Sequence, residues 1–317
     1  MRFTVATRVT QPTRLRKVKL VRMPTCLPYA EWAPLAAAHA RRVDELTAGH
    51  RERRASGRSH PVEDFLFTYY SHRPALLRRW HPGLGVVLYD APRHAGWRFY
   101  RSDAEGAVSV DPELFAQQRG STAGFVRSLL TATAGRTPAL GCFGLHEWAM
   151  VYRSGADDVR HEAWPLRLGS TGTDEVVERH TIRCSHYDAF RFFTDDARPR
   201  NTLQPTREQQ VAQEQPGCLH AGMDLYKWAY KLTPAVPSTL VLDCFELARD
   251  IRVLDMQASP YDLRELGYQP VPIETPDGKA EYVRRQREFA DRGQRLRQRL
   301  IAVCDRILSP LTDRHRP

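Results

Sequence analysis

His220 and Asp224 stand four residues apart in the stretch GCLHAGMDLYKWAYKL (217–232), followed by Tyr226, Lys227, Trp228, Tyr230 and Lys231. On a helix this spacing places an imidazole and a carboxylate on one face, and the aromatics beside them offer surfaces on which a flat ligand can stack. Three further segments repeat the mixture of histidine, carboxylate and aromatic: HPVEDFLFTYYSHRP (60–74), GLHEWAMVYR (144–153) and CSHYDAFRFF (184–193). Each alone reads as a half-buried helix with polar tips. If the four converge, they supply aromatic faces, imidazoles and carboxylates to one cavity, because a pocket wall is where such groups share a boundary.

Three chemistries suit such a cavity. In a metal-assisted reaction, His60 with Asp64, His146 with Glu147 and His220 with Asp224 are donor pairs for zinc or iron, although the chain has no HExxH or comparable ligand motif. In nucleophilic catalysis Cys218, two residues before His220, would act, but no GxSxG elbow supports it. The third is hydrolysis of the N-glycosidic bond of a base in DNA. Its transition state resembles an oxocarbenium ion, so one carboxylate that stabilises positive charge or orients water is enough, without a cofactor. The base must leave the duplex and sit among aromatic side chains while cations hold the phosphates. Composition alone does not separate that task from other pockets for flat ligands.

The elements that must position these groups follow from pattern and punctuation. Helices are expected over residues 29–54, 60–73, 111–134, 217–232, 238–256 and 279–307. VVLYD (86–90) and WRFY (97–100) have strand composition and predict a small hairpin, with further strand-like pieces at AWPLRL (163–168) and HTIRC (180–184). Residues 195–216 are polar and Pro- and Gln-rich, as in a loop. In the last helix Tyr282, Phe289, Leu296, Leu300, Val303 and Ile307 form an apolar stripe among arginines. Asp243, Asp250 and Asp255 stand out on the apolar helix before it, each open to explanation by capping or surface exposure. The fold class expected is α+β, a mainly α-helical single domain with a minor β component. It spans residues 29–310 and follows a basic arm, residues 1–28.

The 317 residues carry a formal charge of +10 and a pI near 9.5, mostly from arginine, so a polyanion is the first partner to consider. Seven Arg and Lys and no acid occupy the first 30 residues. The six cysteines (Cys26, Cys142, Cys184, Cys218, Cys244, Cys304) are scattered without a CxxC pair, as expected for reduced thiols in a cytoplasmic protein. No window approaches the roughly 18 apolar residues of a membrane helix, so no membrane partner is expected.

HPVEDFLFTYYSHRPALLRRWHPG, GLHEWAMVYR, IRCSHYDAFRFFT and EQPGCLHAGMDLYKWAYKL, with RDIRVLDMQASPYDL after them, resemble as a set an actinobacterial family commonly labelled 3-methyladenine DNA glycosylase. The similarity runs from about residue 29 to 300. A helix-hairpin-helix signature with its downstream aspartate is missing. The resemblance implies a monofunctional glycosylase acting on a modified base, an alkylated purine or a larger base as in modified viral DNA. The expected partner is therefore DNA containing a modified base, and no cofactor and no metal are expected.

The candidate catalytic carboxylates are Asp224, Glu147 and Asp64, in that order, each among aromatics and near a histidine. Tyr69, Tyr70, His146, Trp148, His186, Tyr187, Phe190, His220 and Tyr226 are the expected substrate-binding group. Arg73, Arg78, Arg79, Lys227 and Lys231 are the expected DNA contacts, and no lysine is placed by a motif as a Schiff-base nucleophile. The alternatives are a metal-dependent enzyme using the His/carboxylate pairs and a non-catalytic nucleic-acid-binding module.

Overall fold

Local chemistry sets most helix boundaries in the computed structural model of the chain, which describes residues 24–154 and 164–313. The helices are α1 (Tyr29–Ala55), α2 (Phe65–Tyr69), α3 (Pro74–Leu77), α4 (Pro92–Ala95), α5 (Pro112–Ala134), α6 (Leu145–Ala149), α7 (Gly169–Arg179), α8 (Tyr187–Phe190), α9 (Gln210–Gln213), α10 (Leu219–Lys231), α11 (Ser238–Gln257) and α12 (Pro276–Asp313). Asp111 caps α5: its Oδ1 accepts the backbone N–H groups of Glu113 and Leu114, both at 3.0 Å. Pro112 and Pro276 take first helical positions, where a missing N–H costs nothing.

The helix expected over residues 60–73 is cut to the single turn α2. Asp64 turns back on its own loop, accepting the His60 N–H at 2.8 Å, and Ser71 at φ 53° ends the run. The chain before α2 therefore folds as a turn.

Among the described residues four short strands, β1 (Thr25–Leu27), β2 (Val86–Leu88), β3 (Tyr100–Ser102) and β4 (Val108–Val110), form one sheet in the order β1-β2-β4-β3. β1 lies parallel to β2, and the other pairs are antiparallel. The hairpin expected within residues 86–100 does not form. Pro92 starts α4 between the two pieces, so β2 pairs with β4 and the true hairpin joins β3 to β4. Of the other strand-like pieces, residues 164–168 and 180–184 contribute only the isolated bridges Leu166 to Tyr261 and Ile182 to Asn201. Residues 1–23 of the basic arm lie outside the described residues, and its end supplies β1.

The chain forms a single, mainly helical α+β domain with a small sheet. α5, α10, α11 and α12 pack together at its centre. Phe115, Val126 and Leu129 of α5 meet Met223 and Leu225 of α10, Leu247 and Ile251 of α11, and the α12 stripe, of which Phe289 alone is only partly buried. That stripe is a packing face, and Arg292 and Arg299 beside it pair with Asp250 and Asp243 of α11, while Arg297 is buried. Among the described residues no helix is long and apolar enough to cross a membrane.

α10 enters this core through Gly217. A Cβ there would stand 2.5 Å from the Ala139 carbonyl oxygen, while the Gly217 carbonyl accepts from Gln286 Nε2 at 2.6 Å. Gly217→Ala is expected to destabilise the fold by about 1–3 kcal/mol through this clash, measured as a lowered urea midpoint with an unchanged slope. An unchanged midpoint would show that the loop yields freely.

Candidate functional site

Asp224 sits mid-way along α10, 1% exposed. Its Oδ1 accepts from the Tyr70 hydroxyl at 2.9 Å, and its Oδ2 accepts from Lys227 Nζ, one turn further on, at 2.6 Å. The same ammonium reaches Asp188 Oδ2 of α8 at 3.1 Å. Burial alone would raise the Asp224 carboxyl, but Lys227 and His186 hold it below its ordinary range. Burial would likewise lower the Lys227 ammonium, and Asp224 followed by Asp188 raises it instead. Both groups are therefore charged at neutral pH, as a paired buried ion must be.

A second network adjoins the first. Phe143 (φ 48°) and Gly144 (φ 72°) are both left-handed and turn the chain sharply into α6, so that His146 and Glu147 are buried. His146 Nε2 lies 2.8 Å from Asp255 Oδ1, and Arg252 Nη1 donates to Asp255 Oδ2 and to Glu147 Oε1, each at 2.8 Å. The Arg252 guanidinium sits over the Phe65 ring at 3.8 Å. His220 links the networks, its ring centre 4.4 Å from His146 and 5.3 Å from His186. Burial, then the neighbouring His146, pushes His220 well below its ordinary value and keeps it neutral. His146 is raised against its burial by Asp255.

In front of these networks lies a cavity of about 540 Å³, within the range of small-molecule sites. Phe65, Tyr69, Tyr70, Phe192 and Tyr230 form its aromatic wall, with Phe65 and Tyr69 stacked at 5.1 Å and 10° between planes. Asp188, Arg191, Lys227 and Lys231 supply its charges. A narrow recess behind Phe65, Tyr69 and Asp188 reaches Glu147, His220 and Arg252. All four aromatic and histidine-bearing segments thus meet at one place. Burial, then Asp224 and Asp188, pushes the Tyr69 phenol up to about 12, so it stays protonated and able to donate.

The structure distributes the expected residues unevenly. Tyr69, Tyr70, Lys227 and Lys231 line the cavity, and Glu147 and His220 line its recess. Asp224, His146 and His186 are enclosed behind the wall. Trp148 has no exposed surface and donates Nε1 to the Ala258 carbonyl at 2.8 Å, so it packs the core rather than touching a ligand. Tyr226 and Phe190 are likewise buried in the core, and Tyr187 lies under Arg207. Arg78 and Arg79 border a different cavity of about 700 Å³ beside Trp32, Trp80 and Trp97, where Arg78 pairs with Asp44. Arg73 is exposed at the start of α3.

Four residues central to the arrangement were not singled out as site residues. Asp188 stood inside a selected segment, and Arg252 and Asp255 share a helix face at a spacing of three, which is the signal that could have found them. Glu214 was masked by the Gln-rich stretch around it.

Asp64 is absent from the cavity wall. Its carboxylate accepts from Arg53 Nη2 at 2.7 Å and from the His60 N–H, and it lies 2.9 Å from His50 Nδ1. Burial opposes ionisation, but Arg53 and His50 lower the carboxyl below its ordinary value. A carboxyl lowered on folding contributes stability above its unfolded value, about 3.9, and loses it as pH falls through the folded value. Asp64→Asn is therefore expected to cost about 1–3 kcal/mol at pH 7, with the deficit shrinking on acidification below about pH 4. Thermal melts of both proteins across pH check this, and a pH-independent deficit would contradict it. Compared with models of known families, with curated proteins and with solved structures, the chain matches none of them.

Proposed function

We propose that the protein binds DNA and hydrolyses the N-glycosidic bond of a modified base held in the aromatic cavity. The observation that carries this reading is the wall itself: five aromatic rings around about 540 Å³, with one carboxylate, Asp188, on the surface and cations beside it. A flipped base needs flat faces for stacking and an acid near its sugar, and the phosphates flanking the flipped nucleotide need cations. Asp188 is the carboxylate positioned to stabilise an oxocarbenium-like sugar and to orient the attacking water. Asp224 acts through Lys227, whose ammonium fixes Asp188 from behind.

Lys227 is held as an ammonium by two carboxylates, and a protonated amine has no lone pair with which to form a Schiff base. Simple hydrolysis is therefore favoured over a lyase. Arg191 and Lys231, both exposed at the cavity, suit phosphate contacts. The resemblance of the segments lining the cavity to proteins labelled 3-methyladenine DNA glycosylase supports the same reading, with an alkylated purine or a larger modified base as substrate.

Incubation with alkylated, deaminated and hypermodified DNAs, followed by mass spectrometry of the released bases, tests the reaction. Release of one base class is expected, falling about 10²-fold or more in Asp188→Asn, which removes the charge and keeps the shape. DNA binding is expected to weaken with salt at a log-log slope of about −0.9 per phosphate neutralised, and Lys231→Ala should reduce that slope. No released base from any substrate, with salt-sensitive binding retained, would leave a nucleic-acid-binding module; salt-independent or absent binding would remove DNA as the partner.

A further inference from the structure

Two sets of three buried donors lie side by side, His146 with His220 and Asp255, and His186 with Glu214 and Asp224, each set offering one ligand atom per residue within 4.8 Å of the others. They differ in what those atoms already do. In the first set His146 and Asp255 are in hydrogen-bond contact at 2.8 Å, and Arg252 neutralises the carboxylate. In the second, His186 Nε2 stands 3.5 Å from Glu214 Oε1 and 3.4 Å from Asp224 Oδ2, an oxygen that also accepts from Lys227 Nζ at 2.6 Å. Neither ring nitrogen of His186, a side chain 1% exposed, makes a well-aligned hydrogen bond among the described residues, and Nε2 only approaches the two carboxylates. Ligand atoms about 2.0–2.1 Å from a tetrahedral ion stand about 3.4 Å from one another. The two distances from His186 are long for hydrogen bonds and match that separation, and the third lies within 4.8 Å.

Charge points the same way. Lys227 is divided between Asp188 and Asp224. Glu214 is 2% exposed and makes no ion pair with a lysine or arginine among the described residues, and the buried Arg297 bonds Gln294 instead. The basic group nearest Glu214 is the single His186 imidazole, shared with Asp224, and a divalent ion in place of that ring's proton would neutralise both carboxylates together. The outer contacts fit as well. Gln210 Nε2 donates to Glu214 Oε1 at 2.5 Å and the Tyr70 hydroxyl to Asp224 Oδ1 at 2.9 Å, the kind of secondary hydrogen bonds that orient ligating carboxylates.

We propose that His186, Glu214 and Asp224 bind one divalent first-row metal ion behind the aromatic cavity. One imidazole and two carboxylates form a donor set for zinc, iron or manganese. The three ligands come from the segment preceding α8, from the end of α9 and from α10, so the ion ties the polar loop at residues 195–216 to the core helix. The site goes beyond the glycosidic reading and stands without it.

The test uses full-length protein treated with chelator, dialysed against excess Zn²⁺ or Mn²⁺, and assayed by elemental analysis and thermal melting. One retained equivalent and a raised melting temperature are expected, since an ion that binds only the folded chain stabilises it. Glu214→Gln keeps the side-chain shape and is expected to weaken binding at least 10-fold; His186→Ala is the companion variant, and His146→Gln should retain the ion. The proposal is overturned if neither ion is retained or shifts the melt. It is equally overturned if retention survives Glu214→Gln, or is lost in His146→Gln while that variant melts as the chelated wild type does.

Discussion

The Lys227 ammonium, enclosed between Asp224 and Asp188, is the constraint on which the site depends. It belongs to two places at once. Toward the core it neutralises a carboxylate on its own helix, and toward the cavity it fixes the acid on the wall. Removing it would leave two carboxylates together near a low-dielectric core, a defect of about 3–5 kcal/mol for a broken buried pair. The Tyr70 hydroxyl holds the remaining Asp224 oxygen, and Tyr230 donates to the Tyr70 carbonyl at 2.9 Å, so two wall aromatics are locked by the same anchor.

Arg252 has the corresponding role one helix away. A guanidinium that is 1% exposed serves Glu147 and Asp255 together and lies against Phe65, coupling the histidine network to the other end of the aromatic wall. α10 and α11 pack closely, so the two cations keep a fixed relation, and against them the single turns α2 and α8 and the turns that follow complete the cavity wall. The small sheet stands apart from this arrangement, and none of its residues lines the cavity.

Much of the fold was legible in the chain. Long helical runs gave α1, α5 and α11 to within one residue at each end, whereas α12 starts three residues before and ends six after the expected span 279–307. The short elements were not legible. The turn before α2 depends on the Asp64 carboxylate meeting Arg53 and the His60 N–H, and β2 finds its partner across α4; neither contact is written in local propensity. At the site, composition identified the segments that meet but not which side chain faces in. Asp224 and Trp148 were marked by their neighbours and are enclosed, whereas Asp188 lines the cavity because α8 is a single turn that leaves its side chain at the edge. Glu214 illustrates the other failure, a buried acid contributed by a stretch whose composition reads as solvent-exposed loop.

The central claim is that the aromatic cavity in front of Lys227 accepts a nucleobase. Crystals of the protein soaked with 3-methyladenine and with larger modified bases address it most directly. The account predicts difference density against Tyr69 and Phe192 within reach of Asp188, abolished in Tyr69→Ala crystals. Density confined to the groove of Trp32, Trp80 and Trp97, or no bound base at all, would contradict it.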